Sequence, residues 1–138
     1  MKNKPRIVLD TNLLISFLLA NQSVPGKAAL KALERGQLIA SIYTLEELME
    51  VLGRSKFDAY ISQNDRKEFI TYLSRVVEIT IPTTHLEICR DPNDNKFLDT
   101  AVSGNVNYIV TGDNDLLVLN PFMKITILSP KDFLEMDL

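Results

Sequence analysis

The residues of this chain best suited to chemistry are carboxylates, and they recur in one place: just after an apolar run. Asp10 follows residues 6–9, and Glu46 and Glu47 come soon after 38–41. Asp91, Asp94 and Asp99 come after 77–81, and Asp113 and Asp115 after 108–111. Carboxylates brought together repel and raise each other's pKa unless a cation compensates them, so a converging set implies a bound metal. His85 is the one histidine and Cys89 the one cysteine, which excludes Cys/His zinc sites and internal disulfides. Oxygen ligands alone favour Mg²⁺ or Mn²⁺. Two such ions about 4 Å apart activate a water and stabilise the leaving oxygen of a phosphodiester, so the natural reaction class is metal-assisted phosphoryl hydrolysis.

Each acid also has a structural explanation. Asp10 and Asp113 stand where helix N-caps belong, and Asp is a favoured cap. The Thr44 to Glu47 spacing fits a Thr-x-x-Glu capping box, and helical period does not choose between Glu46 and Glu47 for a pocket. Asp91 precedes Pro92 and reads as a turn residue, Asp94 is placed to cap the helix that carries Asp99, and Asp115 is readily explained as solvated.

Whether these acids meet depends on the elements that carry them. Short runs rich in Ile, Val and Leu alternate with longer segments of helical period, the pattern of repeated βα units around a parallel sheet. Five strands are expected, at 6–9, 38–41, 77–81, 108–111 and 124–128, each composed like a strand buried on both faces. Helices are expected at 11–20, at 25–35 with Gly36 as its stop, along the stripe Leu45, Leu48, Met49 and Leu52, and from a Ser62-x-x-Asp65 start through Val76. Three more fall at 95–103, 115–119 and 130–136. In an open parallel sheet all strand carboxyl ends lie on one rim, where ligands bind, so every acid named above falls on the expected ligand side.

Composition limits the remaining possibilities. The 138 residues contain no linker, charge block or low-complexity tract, so one domain spanning 1–138 is expected. The net charge of −3 argues against coating nucleic acid by bulk electrostatics but leaves room for a nuclease with an acidic pocket and a few basic residues at its rim. Arg54, Lys56, Arg90 and Lys96 are candidates for that rim. The basic start is followed by an apolar run that Asp10 interrupts, and 13–20 is far shorter than a membrane span of about 20 residues. A cytoplasmic protein with no membrane partner is therefore expected.

The ordered set of motifs resembles the PIN-domain family, particularly its VapC-like group of toxins from toxin–antitoxin pairs. It comprises VLDTN at 8–12, ELMEVL at 47–52, RDPNDNKFLD at 90–99 and IVTGDNDLL at 109–117, and it covers nearly the whole chain. The resemblance implies an α/β three-layer sandwich with a central, mostly parallel five-stranded sheet flanked by helices. It further implies a Mg²⁺- or Mn²⁺-dependent endoribonuclease for single-stranded RNA, a cognate antitoxin protein as partner, and a homodimer. Carried over by position, Asp10 is the central metal ligand, Glu47 the helix ligand and Asp113 the ligand after the fourth strand, with Asn12 and Thr111 in supporting or substrate-orienting places. The chain departs from the pattern at Asn95, where many relatives carry Asp. Asp99, one turn on, is the expected replacement among catalytic residues and metal ligands, with Asp94 next. Asn95 also motivates the alternative of a catalytically weak module that binds RNA or protein.

Overall fold

Side chains alternate across each strand, and that alternation sorts the apolar residues into two cores. The structure is a computed structural model describing residues 4–138; Met1, Lys2 and Asn3, part of the basic start, lie outside the described residues. On β1 (Arg6–Leu9), Ile7 and Leu9 face one way and Val8 the other. The same split separates Leu38 from Ile39 on β2 (Gln37–Ala40), Val110 from Ile109 on β4 (Tyr108–Val110), and Leu128 from Ile127 on β5 (Thr126–Leu128). With β3 (Glu78–Ile79) these strands form one parallel sheet in the order β3-β2-β1-β4-β5.

Helices cover both faces. Ile7, Leu9, Leu38 and Val110 pack against Leu13 of α1 (Thr11–Leu19), the alanine face of α2 (Val24–Arg35) and Phe133 of α7 (Pro130–Glu135). Ala28, Ala29 and Ala32 are wholly buried, and their small side chains let α2 lie close to the sheet. On the opposite face Phe97, Leu98 and Ala101 of α5 (Asn95–Ser103) cover Val8, Ile39, Ile109 and Ile127. α3 (Ile42–Leu52) and α4 (Gln63–Val76) extend the first layer, joined to α1 through Ile15, Leu48, Leu52, Phe69 and Leu73. The short α6 (Asn114–Leu117) follows β4. The expected α/β sandwich and its parallel five-stranded sheet are therefore what the chain forms.

Three local expectations need correction. The capping box of α3 lies one turn earlier than Thr44–Glu47: Ser41 is the N-cap, its hydroxyl accepting from the Thr44 N–H while the Thr44 hydroxyl accepts from the Ser41 N–H. Glu47 is thereby free of any capping duty. The third strand is only two residues long and exposed, because it pairs with β2 alone at the sheet edge. The fifth begins at Thr126 rather than Lys124, since Met123 and Lys124 adopt left-handed backbone, with φ of 47° and 68°, in the turn before it. No helix among the described residues is long and apolar enough to cross a membrane.

Candidate metal centre

The strand order reverses at β1, which has β2 on one side and β4 on the other, and such a switch point opens a crevice at the strand carboxyl ends. Asp10 and Asp113 leave the two strands that flank it. Asp10 is 7% exposed and caps α1, its Oδ1 accepting from the Leu13 N–H at 3.0 Å. Its Oδ2 accepts from the Thr111 hydroxyl at 2.6 Å and from the Gly112 N–H at 3.3 Å. Thr111, wholly buried, also accepts from the Asp113 N–H at 3.0 Å. One hydroxyl thus sets the spacing of two acids more than a hundred residues apart in sequence. Burial is the main reason the Asp10 carboxyl is pushed above the ordinary carboxylate range; its hydrogen bonds oppose the shift and the nearby Asp113 adds to it.

Asp113 caps α6, its Oδ1 accepting from the Asp115 N–H at 2.9 Å. Carboxylate oxygens of Asp94, Asp113 and Asp115 lie within 4.8 Å of one another. Asp94 is 8% exposed, and although it stands at the N-cap of α5 its side chain makes no cap hydrogen bond. Its Oδ2 is buried without any hydrogen-bond partner. Burial first, then Asp113, raise its carboxyl to about 7. The negative field extends to Cys89, whose thiol is pushed up to about 11 by burial and by Asp94, Asp113, Asp115 and Asp91, leaving it protonated and inert.

Glu47 reaches the first residue of α1, next to Asp10, from α3. One oxygen accepts from the Thr11 hydroxyl and the other from Lys96 Nζ at 3.0 Å, whereas Glu46 is exposed. Asn12 is exposed on the first turn of α1. The structure does not place Asp99 with the three clustered aspartates. Its Oδ1 accepts from the Thr84 hydroxyl at 2.7 Å and the Leu86 N–H at 2.9 Å, tying down the segment that follows β3. Asn95 does a similar job, its Oδ1 accepting from the N–H groups of Ile88 and Cys89. Asp91 accepts from the Asn93 N–H within its own turn, as expected. Glu47, Lys96 and Asp99 line an open groove of about 1130 Å³ beside the acids, with Tyr43, Arg54 and His85 on its walls.

The donor set fits a divalent cation. A buried carboxylate oxygen without a donor is costly, and a carboxyl held near 7 beside two others is a group that lacks positive charge. The sequence left two members of this arrangement unassigned. Asp115 had only its place after the fourth apolar run to mark it, and nothing local distinguished Thr11.

Comparisons with known proteins agree with this architecture. Residues 6–115 match the PIN domain family model. The chain is 32% identical over 147 residues to the uncharacterized protein MJ1680 of Methanocaldococcus jannaschii, covering 97% of this chain and 92% of that one. The chain therefore belongs to the PIN domain family, whose members are generally nucleases. Its fold is shared by VapBC2 from Rickettsia felis, solved bound to a DNA fragment from its promoter, with TM-score 0.59, 16% identity, and 90% of this chain and 98% of that one covered. It is shared too by PAE2754 from Pyrobaculum aerophilum, with TM-score 0.61, 13% identity, and 95% and 88% covered.

Proposed function

We propose that this PIN-domain chain is a Mg²⁺- or Mn²⁺-dependent endoribonuclease that hydrolyses single-stranded RNA in the cytoplasm, acting as a homodimeric toxin restrained by a cognate antitoxin protein. The observation that carries the proposal is the buried, unpartnered Asp94 Oδ2 among the oxygens of Asp113 and Asp115. In this reading Asp94, Asp113 and Asp115 hold the cation, with Asp10 and Glu47 completing its surroundings. Asp94 supplies from the start of α5 the charge that Asn95 does not, which leaves Asp99 as a loop anchor at the groove. A bound Mg²⁺ or Mn²⁺ would supply an activated water and charge stabilisation for the leaving oxygen.

The chain's own groups do the rest. Thr111 holds Asp10 and Asp113 at fixed spacing, and Thr11 orients Glu47. The groove offers the exposed face of Tyr43 for stacking an unpaired base, which suits a flexible single strand better than a duplex. Fold likeness to Rickettsia felis VapBC2 supports the antitoxin partner. Asn95 gives little support to a silent binding module, since its oxygen is engaged by two backbone N–H groups and the buried carboxyl of Asp94 stands beside it.

The test uses chelator-stripped protein, labelled single-stranded RNA and added Mn²⁺. Cleavage should require the metal, and Asp10→Asn or Asp113→Asn should lower it by more than about a hundred-fold while leaving the circular dichroism spectrum unchanged. Undiminished cleavage in excess chelator, or by Asp10→Asn, would reject the proposal.

A further inference from the structure

Arg90 sits on the loop that leads to Asp94 and reaches across to the acid cluster. Its Nε donates to Asp115 Oδ1 at 2.8 Å and its Nη2 to Asp115 Oδ2 at 3.0 Å, so both oxygens of one cluster acid are taken by a guanidinium. The same Asp115 offers an oxygen to the group that could hold a cation. Arg90 and a cation there would therefore draw on the same carboxylate, and each would weaken its hold on the other. The Arg90 side chain is 84% exposed, which makes this pair easy to break: exposed ion pairs are among the weaker contacts in proteins. Lys96 and Glu47 differ, being mostly buried, with Glu47 also held by Thr11.

We infer that Arg90 is a substrate-phosphate grip held on Asp115, and that cation loading frees it for RNA so that the two ligands reinforce each other. The inference rests on the metal-dependent reading above and adds a residue and a coupling to it. A guanidinium matches a phosphate as well as a carboxylate, through the same two parallel N–H bonds. A cation at Asp94, Asp113 and Asp115 removes the negative charge that retains Arg90. The freed side chain stands in solvent at the rim of the centre, where a strand crossing toward the groove would pass its backbone. Binding that favours the same released state from two sides is reciprocal by linkage.

The experiment titrates Mn²⁺ calorimetrically into chelator-stripped wild type, Arg90→Ala, Arg90→Lys and Arg54→Ala, without RNA. Arg54 pairs with Glu50 on α3, outside the cluster, and serves as the control. Arg90→Ala should bind Mn²⁺ about three- to five-fold more tightly than wild type, because a competitor is gone. Arg90→Lys, which keeps the charge but not the fork, should fall between them, and Arg54→Ala should match wild type. Oligouridylate binding in Ca²⁺ should move the other way: Arg90→Ala weakens it about five-fold and lowers the salt slope by about 0.7, the value of one lost phosphate contact on a single strand. Addition of Ca²⁺ should tighten oligouridylate binding by wild type and do so less for Arg90→Ala. Mn²⁺ affinity unchanged or weakened in Arg90→Ala overturns the inference, as does a wild-type value for Arg90→Lys, which would reduce the effect to net charge. If wild type takes up Mn²⁺ and cleaves RNA while either result holds, only this inference falls. If wild type takes up no Mn²⁺, the reading of the centre fails and this inference with it.

Discussion

Replacing Asp94 by asparagine separates what the centre does for function from what it costs the fold. The Asp94 carboxyl is held at about 7 against an ordinary 3.8, so at pH 8 the folded protein keeps it ionised against a displacement of roughly three pH units. At about 1.4 kcal/mol per unit this is at most about 4 kcal/mol, and screening by the solvent that reaches the open crevice reduces it to about 1–2 kcal/mol. Asparagine is neutral and nearly isosteric, and it forgoes only the favourable placement of a negative charge at the start of α5, worth about 0.5 kcal/mol. Metal-free Asp94→Asn should therefore be more stable than wild type by about 1 kcal/mol at pH 8, or about 3 °C in melting temperature for a chain of this size. Mn²⁺ should then raise the melting temperature of wild type and scarcely move that of the variant. Urea and thermal unfolding of both proteins, stripped and reloaded, provide the assay. A variant less stable than stripped wild type, with its Mn²⁺ response intact, would show Asp94 to be an ordinary structural acid and not a cation ligand.

The same carboxyl sets a pH dependence. A carboxyl whose folded pKa is raised binds its proton more tightly when folded, so its contribution is fully present below about pH 4 and is lost as pH rises through about 7. The stability gap between stripped wild type and Asp94→Asn should accordingly be near zero at about pH 4, open between about pH 4 and pH 7 and level off above, which unfolding at a series of pH values will show. Thr111→Val keeps the buried shape but removes the hydroxyl that links Asp10 to Asp113; Mn²⁺ affinity by calorimetry should fall about 10- to 100-fold. Asp99→Ala releases the Thr84 hydroxyl and the Leu86 N–H and should destabilise the protein by about 1–3 kcal/mol in urea unfolding, with Mn²⁺ affinity little changed. Gly26→Ala would place a Cβ 2.4 Å from the Ala20 carbonyl oxygen, where α2 packs on α1, and should cost about 2 kcal/mol or more by the same measurement.

Much of this molecule is legible in its sequence because its signals are local. The Ile, Val and Leu runs mark β1, β2, β4 and β5, and acids directly after β1 and β4 must emerge on one rim once the strands are parallel. Non-local choices were not legible. Helical period placed Asp99 on a suitable face, but not the return of the segment after β3 that engages its carboxylate through Thr84 and Leu86. Asp94 looked like a cap, and only the absence of a cap hydrogen bond shows that its charge is free for another use. The pairing of Arg90 with Asp115, twenty-five residues apart, depends on how the 90–94 loop folds over α6 and leaves no trace in spacing. The Thr44–Glu47 box was a true motif in the wrong register, since Ser41, one turn earlier, takes the same Thr44 as its partner.

The metal centre is tested most directly by a crystal of this protein soaked in Mn²⁺, with the ion located by its anomalous scattering. A peak is expected among the carboxylates of Asp94, Asp113 and Asp115, on the side facing Asp10, with Asp94 Oδ2 turned toward it. A peak elsewhere, or an empty centre at millimolar Mn²⁺ with Asp94 Oδ2 bonded to a neighbouring donor, would contradict it.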